Sequence, residues 1–274
     1  MQRGKSSHHH PRLTRPSILQ KSDKDRQARL YLHQRLLALR RSLATVLGKE
    51  LREAIEKGEI ARVRDLVRVG ANIENMNDRN GLTAMHYASS YGHKNIIEIL
   101  LDSGANIHAY DAKKATPLHS AASGGYSDIT RLLLDRGAVI DEKDEHGWTP
   151  FHKAARNGHV SVVRELLESG ADINAQGPKG RTALHTAAFD NKEDIVSLLL
   201  AADETAINVW AKKNRGRTAL DLAKEKGHSE VIALLEKPRG TGKIDSKTAV
   251  PVTKEEGKKK AWQAFFSKKQ AQSR

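Results

Sequence analysis

A pattern that repeats every 33 residues constrains this chain more than any other feature of its sequence. Four segments share a threonine, a histidine three residues later and small residues after it: GLTAMHYASSYGH, ATPLHSAASGGY, WTPFHKAARNGH and RTALHTAAFDNK. A fifth, RTALDLAKEKGH, is close. The threonines follow one another at steps of 33, 33, 33 and 36 residues: Thr83, Thr116, Thr149, Thr182 and Thr218. A fixed period of this length predicts stacked copies of one supersecondary unit rather than one large core.

Each unit carries the start and stop signals of two short helices. Threonine is a good N-cap, and Pro117 and Pro150 occupy the first helical position, where proline is tolerated. Glycine ends this helix, except that Asn191 takes its place in the fourth match; asparagine is the next-best residue for a left-handed C-cap. The second segment has Ile, Leu and Val at helical spacing and also ends at glycine. The sequence therefore predicts helix pairs joined by polar turns.

The T-P-L-H-x-A core and the 33-residue period resemble the ankyrin repeat. The resemblance covers residues 49–237. It implies an all-α fold, a solenoid of about six helix pairs with hairpin fingers on one side. The hairpin around Asn75–Gly81 is one residue longer than the others, and the fifth unit gains three residues near Trp210. The expected units are 49–77, which caps the stack, 78–110, 111–143, 144–176, 177–212 and 213–237, which is the second cap.

The positive charge of the chain, +14 in total, lies in its two ends. Residues 1–48 carry a net charge of +9 and residues 237–274 a net charge of +8, whereas the middle carries −3. This pattern predicts a near-neutral folded core flanked by basic helical and disordered tails. Residues 1–22 contain no acid, so a mitochondrial transit peptide is an alternative to a disordered arm. The expected flanking segments are a disordered arm at 1–23, an amphipathic helix at 24–48, a linker at 238–257 and an aromatic tail at 258–274.

The predicted helix at 24–48 has an apolar stripe in which residues step by 4, 3, 4 and 3 positions: Leu32, Leu36, Leu39, Leu43 and Val46. Two heptads are fewer than the three or four that indicate a coiled coil. We therefore expect this basic helix to cover the open end of the first repeat.

Four histidines recur in register, at His86, His119, His152 and His185. Histidines in a row suggest metal ligands, but stacked repeats place equivalent side chains roughly 10 Å apart, too far to share one ion. The resemblance implies instead that each histidine bonds to the backbone between repeats. The chain has no cysteine, and H-E-x-x-H, P-loop, G-x-S-x-G and dinucleotide motifs do not occur. We expect no catalytic residue, metal or cofactor, and a protein that is not an enzyme.

The resemblance also implies a concave binding surface, formed by the finger tips and the exposed side of the first helices. Aromatic and arginine side chains, the usual anchors of protein interfaces, occur at these positions. The alternative for Trp148 and Phe189 is packing between repeats. We predict a scaffold or adaptor whose partner is an acidic protein with apolar anchors. The predicted partner-binding residues are Arg79, Asn80, Tyr91, Lys113, His146, Trp148, Arg156, Asn157, Lys179, Arg181, Phe189, Asp190, Arg215 and Arg217.

The C-terminal tail combines lysines and aromatics in KKKAWQAFFSKKQ, residues 258–270. Such segments bind calmodulin-like grooves, acidic partners or anionic membrane surfaces, and the lysine run resembles a weak nuclear import signal. A solvated tail without a partner is the alternative. The basic tails also suggest an alternative function, a nucleic-acid-associated or nuclear regulatory factor with nonspecific phosphate affinity. The tail residues predicted to bind are Lys258, Lys259, Lys260, Trp262, Phe265 and Phe266.

Two shorter signals concern location and modification. The N-terminus has no apolar secretory core and no run approaches about 18 apolar residues, which predicts no transmembrane segment and a cytoplasmic or nuclear location. Asn174, in LLESGADIN, resembles the site that an asparaginyl hydroxylase recognises on ankyrin domains. This resemblance implies hydroxylation of Asn174 in a eukaryotic host.

We predict that residues 49–237 fold without either tail, because the repeats supply their own core. Circular dichroism of this fragment should show a helical spectrum and a cooperative melt. An unfolded fragment would show that the domain boundaries are wrong.

Overall fold

A computed structural model describes residues 18–76, 79–202 and 216–237. These residues form twelve α-helices, one short 3-10 turn at Pro178–Gly180, and no strand. Among them, no helix is both long and apolar enough to cross a bilayer. The helices are α1 (Ile18–Glu56), α2 (Ile60–Arg68), α3 (Ala84–Tyr91), α4 (Lys94–Asp102), α5 (Pro117–Gly124), α6 (Ser127–Asp135), α7 (Pro150–Asn157), α8 (Val160–Glu168), α9 (Ala183–Phe189), α10 (Glu193–Ala202), α11 (Ala219–Lys226) and α12 (Ser229–Glu236).

Two compact units divide the chain, an N-terminal unit that ends at Val46 and a repeat unit that begins at Leu47. The repeat unit is an ankyrin solenoid, as the sequence predicts. First helices pack on first helices, from α3 through α5, α7 and α9 to α11, and second helices pack on second helices from α6 through α8 and α10 to α12. The terminal second helices, α2 and α12, each bury a single residue, Val63 and Val231. The ends of the stack thus keep an exposed face, as terminal repeats require.

The threonines predicted as N-caps all occupy that position, with φ between −98° and −86°. Each forms a capping box with the side chain three residues later, which is histidine in four units and Asp221 in the last. Two orphan amides of the first turn are satisfied in this way. Glycine in the left-handed conformation ends four of the first helices, and Asn191, with φ of 52°, replaces it after α9 as predicted.

The four histidines in register join each repeat to the next. The backbone N–H of Thr83 donates to Nδ1 of His86 over 3.2 Å, so Nε2 carries the proton and donates to the carbonyl of Ala115 over 3.0 Å. The expected bond to the backbone between repeats is confirmed. Equivalent bonds from His119, His152 and His185, over 3.0, 3.0 and 3.3 Å, reach the carbonyls of Trp148, Arg181 and Arg217.

Burial keeps three of these imidazoles neutral, those of His86, His119 and His152. It lowers the pKa of His86 and His119 below the usual 6.5, and it lowers the pKa of His152 to about 4. Hydrogen bonds to backbone carbonyls act in the opposite direction but do not cancel the effect of burial. A proton on Nδ1 would also remove the acceptor that caps the helix. The connection between repeats therefore depends on neutral histidine.

The turn before each first helix has a residue in the left-handed region at a fixed register, and the turn before α9 has a second one, Lys179, with φ of 59°. Glycine occupies the fixed register four times, with φ between 67° and 83°, but Lys114 occupies it in the second of these turns with φ of 56°. Asp111 shapes this turn by accepting the amides of Lys113 and Ala115 over 2.8 Å. A lysine here is strained because its Cβ crowds the backbone in this conformation.

The N-terminal unit, described from residue 18, belongs to helix α1. This helix begins earlier than the predicted residue 24 and continues beyond 48, so that Leu51 and Ile55 near its end are fully buried in the repeat unit. The five residues of the apolar stripe, from Leu32 to Val46, are each more than half exposed. The packing of this helix on the first repeat stays a prediction.

We predict that the repeat unit loses stability as the pH falls from about 6.5 to about 4. His86, His119 and His152 have lowered pKa values in the folded state and ordinary values in the unfolded chain. Their contribution is complete above the unfolded value and is lost as the pH falls towards the folded value. Urea unfolding between pH 7.5 and 4.5 measures this loss. The variant His152→Gln, which can still cap the helix but cannot titrate, should show a weaker pH dependence. Equal stability at pH 7.5 and 4.5 would contradict the account.

We predict that Lys114→Gly stabilises the protein by about 0.5–1 kcal/mol, because glycine relieves left-handed strain at some cost in backbone entropy. The matched control is Lys113→Gly, at a neighbouring exposed residue without positive φ, which should destabilise the protein by a similar amount. Chemical denaturation of both variants tests the difference. Equal effects of the two substitutions would show that Lys114 is not strained.

Candidate functional site

The first-helix face is the surface formed by the last turns of α3, α5, α7, α9 and α11 together with the turns that precede these helices. The predicted partner-binding residues that the structure describes lie on it. Arg215 and the tail residues from Lys258 to Phe266 lie outside the described residues. Exposed on this face are Arg79, Asn80, Tyr91, Lys113, His146, Arg156, Asn157 and Lys179; half-buried are Trp148, Arg181, Phe189, Asp190 and Arg217.

Trp148 is held rigidly at the start of α7. Its amide donates to Oδ1 of Asp144 over 2.8 Å, and its carbonyl accepts the bond from His119 of the preceding repeat. The indole packs edge-on against His152, with 5.6 Å between the ring centroids. The guanidinium of Arg156 lies 5.8 Å from the indole centroid, close enough for a cation–π contact. Trp148 therefore presents a fixed, half-buried ring beside a positive charge.

Phe189, the last residue of α9, forms a second contact of the same kind. Its ring centroid lies 4.9 Å from the guanidinium carbon of Arg181 and 4.7 Å from Nζ of Lys226. Its carbonyl accepts a hydrogen bond from Nε2 of His228 over 3.1 Å. Two cations from different repeats thus flank one half-buried aromatic ring.

An ion pair connects the two contacts. Nε of Arg156 lies 3.9 Å from Oδ2 of Asp190, the residue directly after Phe189. A continuous row of alternating aromatic and charged groups therefore runs across three successive repeats. We call this set the aromatic row: Trp148, Arg156, Asp190, Phe189, Arg181 and Lys226.

The buried carboxylate of Asp144 fixes the position of Trp148 in the row. Burial raises its pKa, but the ammonium of Lys153, at 2.7 Å, and the amides of Trp148 and His146 outweigh this effect and hold the pKa below its usual value. The carboxylate is therefore ionised at neutral pH. In this state it accepts the amide of Trp148 and fixes the turn that carries the indole.

Five of the predicted residues belong to the row, and others make contacts outside it. Tyr91 stacks on His93 with 6.3 Å between centroids, at the other end of the face. Asn157 donates to the carbonyl of Ser123 over 2.8 Å, and Arg217 pairs with Glu225. Outside the row, the amide of the half-buried Asn174 donates to Oδ1 of Asp172 over 2.9 Å.

Sequence reasoning missed three residues of this site. Lys226 lies eight residues after its capping threonine, the same position in the repeat as Tyr91, Asn157 and Asp190. Applying this spacing to the last unit would have identified it. Asp144 recurs 33 residues after Asp111. Nothing in the sequence predicts the pairing of Asp144 with Lys153, because it depends on how two side chains approach in the folded turn.

The described residues contain no group of three or more His, Cys, Asp or Glu side chains arranged to hold a metal ion. The four histidines in register are occupied at both ring nitrogens. They act as structural links.

Comparison with known proteins agrees with this architecture. A family model described as ankyrin repeats, in three copies, matches residues 51–111, 103–177 and 175–247. Ankyrin repeat domain-containing protein 40 from mouse (Mus musculus) and its human (Homo sapiens) counterpart are each 38% identical to this chain over 58 residues. That stretch is 21% of this chain and only 16% of the length of either relative. Because the family model spans most of the sequence, the chain belongs to the ankyrin repeat family.

Proposed function

We propose that this protein is a non-enzymatic scaffold or adaptor that binds a partner protein through the aromatic row of its first-helix face. Ankyrin repeats are generally protein–protein interaction modules. The observation that carries the proposal is the pair of half-buried rings, each beside cations and joined through Arg156 and Asp190. Rigid aromatic and arginine side chains grouped in this way are typical of interface hot spots.

The chemistry of the row favours an acidic partner with apolar side chains. Apolar groups would cover the free parts of the Trp148 and Phe189 rings and remove their surface from water. Carboxylates would pair with Arg156, Arg181 and Lys226, whose charges exceed the single charge of Asp190. A partner of this kind would make favourable contacts with both the rings and the cations of the row, whereas a basic partner would be repelled by the three cations.

Exposed basic residues at the turns extend this preference beyond the row. Arg79, Lys113 and Lys179 are exposed on the same face. Exposed charges around an interface mainly increase the association rate, and their effect falls with ionic strength. The rings set the dissociation rate, because their contacts must be broken before the partner leaves.

The alternative function, a nucleic-acid-associated or nuclear regulatory factor, depends on the basic tails. A tail-mediated phosphate contact would weaken steeply between 0.05 and 0.2 M salt and would disappear with the tails. Binding through the aromatic row would survive removal of the tails. Duplex DNA binding measured at the two salt concentrations, with and without the tails, separates these functions.

We predict that Phe189→Ala weakens partner binding by about 2 kcal/mol or more, roughly thirtyfold, with a melting temperature that stays near the wild-type value. A peptide library displayed on phage and selected on the full chain supplies the probe, and the selected peptides should be acidic with apolar residues. Trp148→Ala should act in the same direction. Arg181→Ala should weaken acidic peptides most at low salt.

Tyr110→Ala is the matched control, since this exposed tyrosine bonds to Glu142 and is not part of the aromatic row. It should leave affinity unchanged. A lower melting temperature for Phe189→Ala together with normal affinity in the folded fraction would contradict the proposal, and would assign the ring to packing between repeats. An equal loss for Tyr110→Ala would contradict the position of the site.

A further inference from the structure

Helix α1 exposes a straight row of apolar side chains in the N-terminal unit. Its members are more than half exposed: Leu32 60%, Leu36 57%, Leu39 66%, Leu43 58% and Val46 53%. Isolated exposed leucines are ordinary on protein surfaces, but five in one row form a contiguous patch, and such patches mark interaction sites. We call this row the leucine seam.

The width of the seam indicates what can cover it. At 100° per residue, its five members occupy an arc of about 80° and extend for about 21 Å along the helix. A stripe this narrow has the geometry of a coiled-coil seam, with Leu36 and Leu43 at a positions and the others at d positions. Leu30 and Leu37 lie on the opposite side of the helix. A helix that lies on a membrane has a wider apolar face, built from Trp, Phe and Leu.

Basic residues flank the seam. His33 and Arg40 occupy e positions and Arg35 a g position, and no acidic residue occurs between residues 26 and 49. The guanidinium carbon of Arg35 lies 5.7 Å from the Tyr31 ring centroid, which keeps this charge on the helix surface beside the seam. The apolar stripe is therefore bordered by positive charge.

This charge pattern opposes pairing with a second copy of the chain. In a parallel pair, Arg35 of one helix would face Arg40 of the other, twice by symmetry. In an antiparallel pair that aligns the whole seam, Arg40 would face His33 and Arg35 would face Ser42, so no acidic residue would offset the arginines. The seam also ends at Arg29, which would occupy the next a position. Like charges at these positions disfavour self-association and select a partner of opposite charge.

A segment of this chain is also a poor occupant. The C-terminal tail, 258–270, has apolar residues but carries lysines at both ends and no acid. It would add positive charge to the positive borders of the seam. The complementary ligand has apolar residues at a and d positions and acidic residues at e and g positions.

We infer that the leucine seam binds an amphipathic helix of another protein, with glutamate or aspartate beside its apolar stripe, as a short heteromeric coiled coil. This site is separate from the aromatic row and does not depend on the function proposed for it. The chain would then carry two binding sites of different chemistry, one on each unit.

A designed helical peptide tests this inference with the full chain. The probe has two heptads with Leu at a and d and Glu at e and g, and its matched counterpart has Lys at e and g. Fluorescence anisotropy should show binding of the Glu peptide and at least tenfold weaker binding of the Lys peptide. The double substitution Arg35→Glu and Arg40→Glu should reverse this preference.

Paired variants locate the contact. Leu36→Ala with Leu43→Ala should weaken the Glu peptide at least thirtyfold, while Leu30→Ala with Leu37→Ala, on the opposite side, should leave its affinity unchanged. Alanine is the best helix former, so both pairs keep α1 helical, and circular dichroism checks this.

Three results would overturn the inference. They are equal binding of the Glu and Lys peptides, dimerisation of the chain itself at micromolar concentration by analytical ultracentrifugation, and seam-dependent binding to phosphatidylserine vesicles without binding of either peptide. Because the peptide contacts only α1, substitutions at Phe189 and Trp148 should not change its affinity. Failure here is thus distinct from failure of the proposed function.

Discussion

The hydrogen bond from a neutral histidine to the carbonyl of the next repeat is the interaction on which the rest of the structure depends. In each case the acceptor is the residue directly before the next capping threonine: Ala115, Trp148, Arg181 or Arg217. One imidazole therefore caps its own helix through Nδ1 and fixes the start of the following helix through Nε2. The bond sets both the spacing of the repeats and the position of the residue that enters each first helix.

The same bond connects the fold to the candidate site. Trp148 and Arg181 belong to the aromatic row, and their backbones are the acceptors of His119 and His152. The solenoid thus fixes the main chain, and the side chain at this register is left to vary: alanine, tryptophan, arginine and arginine in successive units. In the proposed function, the binding chemistry would be carried by residues whose backbone is structural. This arrangement explains how repeats with a common core can present a surface that is particular to this chain.

Local sequence signals predicted most of the fold. Threonine caps, helix-ending glycines and the left-handed Asn191 follow from short-range rules of helix formation, and the bonds of the structural histidines are implied by the resemblance to the ankyrin repeat. The contacts of the site follow from the approach of side chains in different repeats, which no spacing rule gives: Arg156 with Asp190, and Lys226 over Phe189. Helix α1 shows the same limit of sequence-based prediction. The spacing of the leucine seam can be read from the sequence, but its exposure cannot. Whether an apolar stripe is buried depends on what packs against it, and that is a property of the folded chain.

Nitrogen-15 NMR of the imidazole rings tests the central claim most directly. At pH 7, long-range correlations should show His86, His119, His152 and His185 as neutral rings with the proton on Nε2, and each Nε2 proton should show a scalar coupling to the carbonyl of the next repeat. Exposed histidines such as His146 provide the reference for a ring without this constraint. A proton on Nδ1, or charged imidazolium at these four positions at pH 7, would contradict the account of how the repeats are joined and of how the first-helix face is positioned.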